Sequence, residues 1–121
     1  MYAYDKNILR SIEPEIGTEP IYSVGLGEHE FSFSFGNLVC VQNTFRVDFG
    51  LQGKEHTWEG GACAIPVWLL INQIPSGLAL ESSTMLRINL TSGDWLRLHT
   101  EVGPYECQTF MWSASKDVTV Y

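Results

Sequence analysis

The chain is expected to be mainly β, a curved antiparallel sheet forming an open barrel or sandwich from two meander-like halves, with one short helix. Two stretches about 55 residues apart point there. The first is Phe31-Ser-Phe-Ser-Phe35, a Gly36-Asn37 turn and Leu38-Val-Cys-Val41. The second is Leu86-Arg-Ile-Asn-Leu90, a turn at Ser92-Gly93-Asp94 and Trp95-Leu-Arg-Leu98. Alternation with period two on both sides of a tight glycine-containing turn is the signature of a β-hairpin. A third stretch, Thr44 to Leu51, puts Phe45, Val47, Phe49 and Leu51 on one face and Arg46, Asp48 and Gly50 on the other.

The remaining elements follow in order. Residues 1–20 are acidic and weakly patterned, broken by Pro14 and Pro20, and form an N-terminal arm or short cap to a single β-rich domain over 21–121. Asn7 to Ile12 can make one helical turn, since Ile8, Leu9 and Ile12 share a face. Ile21 to Leu26 is a short strand ended by Gly25 and Gly27. Gln52 to Gly61 is polar and glycine-flanked, a loop or a hairpin tip with a short strand around His56 to Glu59. Pro66 to Gln73 is continuously apolar and begins with proline, as a short buried helix does, with a fully buried strand as the rival. Leu78 to Glu81, Glu106 to Trp112 and Val118 to Tyr121 are further strands, with Gly103 and Pro104 before the second of these.

Register can be tested on the sequence. A two-residue Gly36-Asn37 loop sets Phe35 opposite Leu38 and Phe33 opposite Cys40, leaving Val39 and Val41 on the outer side. In the second hairpin a two-residue loop would pair Ile88 with Arg97. A three-residue Ser92-Gly93-Asp94 loop pairs Leu90 with Leu96 and Ile88 with Leu98, which keeps one face apolar. Its weakness is that Asp94, rather than Gly93, then takes the left-handed position.

At 121 residues the chain can bury a core without staples. Its 45% apolar and 17% charged residues exclude a disordered protein. No apolar run approaches the roughly 20 residues of a membrane helix. The N-terminus lacks the pattern of a secretory signal, so a cytoplasmic location is expected. Three cysteines, Cys40, Cys63 and Cys107, are read as reduced thiols, with Cys40 on the apolar side of its strand. Fourteen acids against seven bases leave a net charge of −7, which disfavours nucleic acid and suits a basic partner.

Catalytic patterns are missing. His29, His56 and His99 lack metal-ligand spacing, and neither a nucleophile elbow nor a phosphate loop is present. Glu28 and Glu30 share a strand face but are read as a solvated edge rather than a catalytic pair. No enzyme activity, metal or cofactor is therefore expected. Binding surfaces have more support. In the three-residue register Trp95 points outward with Arg97 and His99 beside Asp94, the residue mixture of an interface. Otherwise that outer face is covered by the arm or the helix. Trp58, between Glu55 and Glu59, is a second anchor, while Trp68 and Trp112 belong to the core.

The segment from Leu86 to Leu90, Gly93-Asp94, Leu96 to Leu98 and then Tyr105-Glu106 resembles a set of small bacterial all-β proteins of unknown function. Phe31 to Phe35 and the strand through Phe49 are similar to their upstream repeat, so the resemblance spans about Ile16 to Trp112. By size, acidity and composition the chain also resembles the immunity proteins encoded beside bacterial toxins, including those of contact-dependent inhibition. That resemblance implies a cytoplasmic protein without catalysis of its own, binding a basic toxin domain, often a nuclease, and blocking its active site. The expected contact residues are the outward acids Asp48, Glu55, Glu59, Asp94 and Glu101, with Trp58, Trp95, Arg97 and His99. The alternative is a small-molecule-binding open β-barrel, and a minor enzyme with unidentified residues comes third.

Overall fold

The computed structural model describes residues 3–61, 64–102, 106–113 and 118–121. In chain order its elements are α1 (Lys6–Ile12), β1 (Ile21–Leu26), β2 (Phe31–Phe35), β3 (Leu38–Asn43), β4 (Arg46–Leu51), β5 (Lys54–Trp58), β6 (Pro75–Ser82), β7 (Met85–Leu90), β8 (Trp95–His99), β9 (Gln108–Trp112) and β10 (Val118–Val120). Short 3-10 turns at Glu13–Glu15 and Val67–Leu70 precede β1 and β6. The strands form two antiparallel sheets, ordered β1-β2-β3-β9-β10 and β5-β4-β8-β7-β6. They do not close into a barrel.

The sheet orders contain a duplication. In each half of the chain three strands make a meander in one sheet and the next two make a hairpin in the other. β1-β2-β3 lie in the first sheet and β4-β5 in the second; β6-β7-β8 lie in the second and β9-β10 in the first. Each exchanged hairpin docks against the last strand of the other half's meander, β9 on β3 and β4 on β8. The two echoing hairpins are the β2-β3 and β7-β8 arms of these meanders.

Alternation places the apolar residues where burial requires them. Phe31, Phe33, Phe35, Val41 and Phe110 of the first sheet and Val47, Phe49, Ile88, Leu96 and Leu98 of the second belong to one core. Phe31 meets Phe49 edge-on across the two sheets, ring centroids 4.9 Å apart. α1 adds Ile8 and Ile12, one turn apart, to the same core, and Tyr4 before it donates its hydroxyl to the Leu98 carbonyl. Asp5 caps α1 by accepting from the Asn7 N–H.

Several details depart from the sequence expectation. In the first hairpin Phe35 does face Leu38, but Phe33 faces Val41, not Cys40. One extra residue in β3 sets Val39 and Cys40 opposite Ser34, so Val41 turns inward, Val39 stays exposed and Cys40 is half-buried. In the second hairpin the loop has three residues, but they are Thr91-Ser92-Gly93. The Leu90 N–H donates to the Asp94 carbonyl, the Leu90 carbonyl accepts from the Gly93 N–H, and Ile88 and Leu86 pair with Leu96 and Leu98. Gly93, at φ +96°, then occupies the left-handed position that Asp94 fills poorly. Moving the loop by one residue shifts each partner by two, so the faces come out as expected while the pairs do not.

The segment after Pro66 forms only the 3-10 turn Val67–Leu70, with Val67 and Leu70 buried. Trp68 is not a core residue: it is 65% exposed, because the 3-10 turn directs Val67 and Leu70, three positions apart, inward and leaves Trp68 on the outer side. Trp112 is half-buried against the core. β5 is the short strand expected near His56, joined to β4 by a two-residue Gln52-Gly53 turn with both φ angles positive. Cys63, Gly103, Pro104 and Tyr105 lie outside the described residues, so the Tyr-Glu pair of the resemblance has no structural description.

Candidate partner-binding face

The outer face of the second sheet is built around a buried carboxylate. Asp48 sits mid-way along β4, opposite Thr57 of β5 and Arg97 of β8, with Arg46 two residues earlier on the same face and opposite His99. Antiparallel pairing therefore delivers four donors to one side chain. Oδ1 accepts from Arg46 Nε at 3.2 Å and Thr57 Oγ1 at 3.0 Å. Oδ2 accepts from Arg97 NH1 at 3.0 Å and lies 2.8 Å from His99 Nε2. Asp48 points outward as expected, yet is only 2% exposed because these neighbours cover it. Burial pushes its carboxyl up, but the hydrogen bonds from His99 and Arg97, the His99 charge and the Thr57 bond outweigh that and bring it down to about 2.

The charges continue across the sheet. Arg97 donates through Nε to Glu81 Oε1 at 2.6 Å, and Arg46 and Arg97 approach exposed Glu59, just past β5, and exposed Glu55 of β5 at 3.6 and 3.8 Å. The hydrogen bond to Glu81 raises the Arg97 guanidinium, and the same bond lowers the Glu81 carboxyl. Trp95 lies over Gly50, its partner on β4, where any Cβ would overlap the indole. The guanidinium carbons of Arg87 and Arg97 stand 4.6 and 4.9 Å from its ring centroid. Two arginines that would repel each other across β7 and β8 are thus held on one aromatic ring, and Trp95 is fixed at the surface, half-buried. A shallow depression of about 170 Å³ opens beside it, lined by Lys54, Glu55 and Asp94.

Of the expected contact residues, the structure brings together Asp48, Glu55, Glu59, Trp95, Arg97 and His99. Trp58 is a correction: it ends β5 facing inward, is 1% exposed, and its indole N–H has no hydrogen-bond partner among the described residues. It cannot anchor a partner, because the parity of β5 turns it to the same side as Val47, its pair. Asp94 is a clip rather than a free acid. It accepts from the Gln52 N–H at 3.0 Å and from Gln73 Nε2 at 2.9 Å, tying three loops together. Glu101 lies on exposed chain two residues past β8. Arg46, Thr57, Glu81 and Arg87 were not singled out from the sequence. Arg46 was legible from its alternation with Asp48; the others needed the strand order.

This arrangement is poor for catalysis. Asp48 and His99 have the relation of the acid and base in a hydrolytic triad, but the hydroxyl present, Thr57, donates to the carboxylate rather than to the imidazole. A carboxylate saturated by four donors and held near 2 is no proton acceptor at neutral pH. Among the described residues, no three His, Cys, Asp or Glu converge as metal ligands, and no helix is long and apolar enough to cross a membrane. Cys40 is a half-buried free thiol, with burial and then Glu30 pushing it up. No protein-family model, no curated protein and no solved structure matches this chain.

Proposed function

We propose that this chain is a cytoplasmic immunity protein that binds and neutralises a basic toxin domain through the outer face of its second sheet. The observation that carries this is the rigid Arg87–Trp95–Arg97 stack bordered by exposed Glu55 and Glu59. Asp48 and Glu81 hold Arg97 closely, while exposed Glu55 and Glu59 on the rim stand at the long range of ion pairing from Arg97 and Arg46 and can turn to an incoming cation. The tip before β2 adds to this rim, since the Glu28 carbonyl accepts the Gly61 N–H at 2.7 Å and the Glu28 side chain is exposed. A net charge of −7 steers a basic nuclease toward such a surface, and pre-ordered Trp and Arg side chains lose little entropy on docking. The small-molecule alternative has less support, because Phe31, Phe33, Phe35, Phe49 and Phe110 fill the space between the sheets.

The test is co-expression with the toxin domain encoded beside this gene. The native chain should protect the cell and bind the purified domain, with association slowing as salt rises. Trp95→Ala combined with Glu55→Lys and Glu59→Lys should weaken binding by about a hundredfold or more and abolish protection. Protection that survives the triple change sinks this face, and a native chain that ignores the adjacent toxin sinks the function.

A further inference from the structure

We propose that the groove between α1 and β6 binds an extended, acidic and apolar peptide as an added strand. It lies along β6, the opposite edge of the second sheet from β5, and is independent of the neutralising role proposed above. β6 is hydrogen-bonded on one side to β7. On its other side, among the described residues, the chain is tethered only beyond the middle of the strand, by Gly17 N–H to the Pro75 carbonyl at one end and Tyr4 N–H to the Ser83 carbonyl at the other. Between those tethers α1 runs alongside as a helix and contributes no backbone bonds to the edge. An opening of about 580 Å³ lies beside their line of contact.

The walls of that opening state what fits it. α1 commits Ile8 and Ile12 to the core and turns a second stripe, Lys6, Leu9 and Arg10, toward the groove, where its C-cap Glu13 follows. Leu78 and Leu80 of β6 face Leu9 and Ile16 as half-buried apolar floor. An edge strand leaves alternate N–H and C=O groups unpaired, and another strand completes them at a spacing of about 4.8 Å. Peptide recognition by strand addition uses this geometry, with the backbone supplying affinity and alternate side chains supplying specificity. Charge sets the polarity of the occupant. Lys6 and Arg10 are exposed, and among the described residues neither has a carboxylate within ion-pair distance, although acids outnumber bases two to one. Glu13 stands toward the Gly17 end. Acidic residues of the peptide therefore belong beside Lys6 and Arg10, near the Ser83 end, and apolar residues beside Leu78 and Ile16.

A displayed library of random octapeptides, selected on the full-length protein, tests this. Enriched sequences should alternate apolar residues and carry Asp or Glu toward one end. A fluorescein-labelled synthetic copy of the best sequence should bind Lys6→Glu/Arg10→Glu about tenfold more weakly or worse, with the melting temperature unchanged. N-methylating alternate amides of that peptide should abolish binding in one of the two sets and spare the other, because only one set faces β6. Four results overturn the proposal: no enrichment, equal binding to the charge-reversed variant, tolerance of both N-methylated sets, or a groove closed by a second copy of the chain in a dimer that the peptide does not dissociate. Displacement of the peptide by dodecanoate, with the same dependence on Lys6 and Arg10, assigns the groove to a carboxylate amphiphile instead.

Discussion

Asp48 is the residue on which the outer face depends. Removing it as Asp48→Ala strands two arginines and a histidine around an empty centre, and breaking a buried charge cluster in this way costs about 3 kcal/mol or more. Asp48→Asn should cost less, since it keeps the shape and one acceptor; urea unfolding of both variants checks the order. The same group sets an acid limit. Its carboxyl is lowered on folding, so its stabilisation is fully present above the unfolded value of about 4 and is lost as pH falls through about 2. Unfolding free energy should therefore drop by about 2 kcal/mol across that window, and Asp48→Asn should flatten this part of the curve. Gly50 is the second sensitive position. Gly50→Ala must lift the Trp95 ring from the sheet, giving a red-shifted tryptophan emission and a loss of about 1–3 kcal/mol. Adding Trp95→Ala should return part of that loss, and a double-mutant cycle showing strict additivity would count against the overlap.

The β3-to-β4 corner shows how a short polar segment can direct two sheets. Asn43 is 1% exposed and fully occupied: its Oδ1 accepts from the Phe45 and Arg46 N–H groups, and its Nδ2 donates to the His99 carbonyl and to Gln108 Oε1. The chain leaves one sheet and enters the other around this side chain. Asn43→Ala leaves buried donors and acceptors without partners and should cost about 2–3 kcal/mol, read by thermal melting. The β7-β8 hairpin depends on Gly93 instead. Gly93→Ala, at φ +96°, should cost about 1 kcal/mol or more without moving the strands, which amide exchange along β7 and β8 would report. This turn was legible in its length and not in its position. Alternation constrains only the parity of the pairing, and parity is the same for both placements of the loop. The glycine preference of the left-handed position was the local signal that separates them.

The exchanged hairpins make the halves interdependent. Each half holds a three-stranded meander whose sheet is extended, edge to edge, by two strands of the other half. Residues 1–61 and 62–121 expressed separately should each lack cooperative unfolding. Mixed in equal amounts they should recover the native circular dichroism spectrum and a single melting transition. Two independently folded fragments would contradict the exchange. Contacts between remote strands dominate such a topology, so refolding of the intact chain is expected in the millisecond-to-second range.

Strand alternation, the hairpins and the inward set Phe31, Phe33, Val47, Phe49, Ile88, Leu96 and Leu98 were already determined by the order of residues along the chain. They depend on period-two geometry and on burying apolar surface, both of which act over a few neighbouring residues. Which sheet each strand joins was decided only by tertiary structure, because backbone hydrogen bonds carry no record of side-chain identity. Asp48 shows the consequence. Its outward direction follows from its place beside Val47 and Phe49, but its burial comes from Thr57, Arg97 and His99, separated from it by 9, 49 and 51 residues. Trp58 and Trp68 changed places for the same reason. Pairing with Val47 turned one into the core, and a 3-10 turn whose inner face is Val67 and Leu70 left the other in solvent.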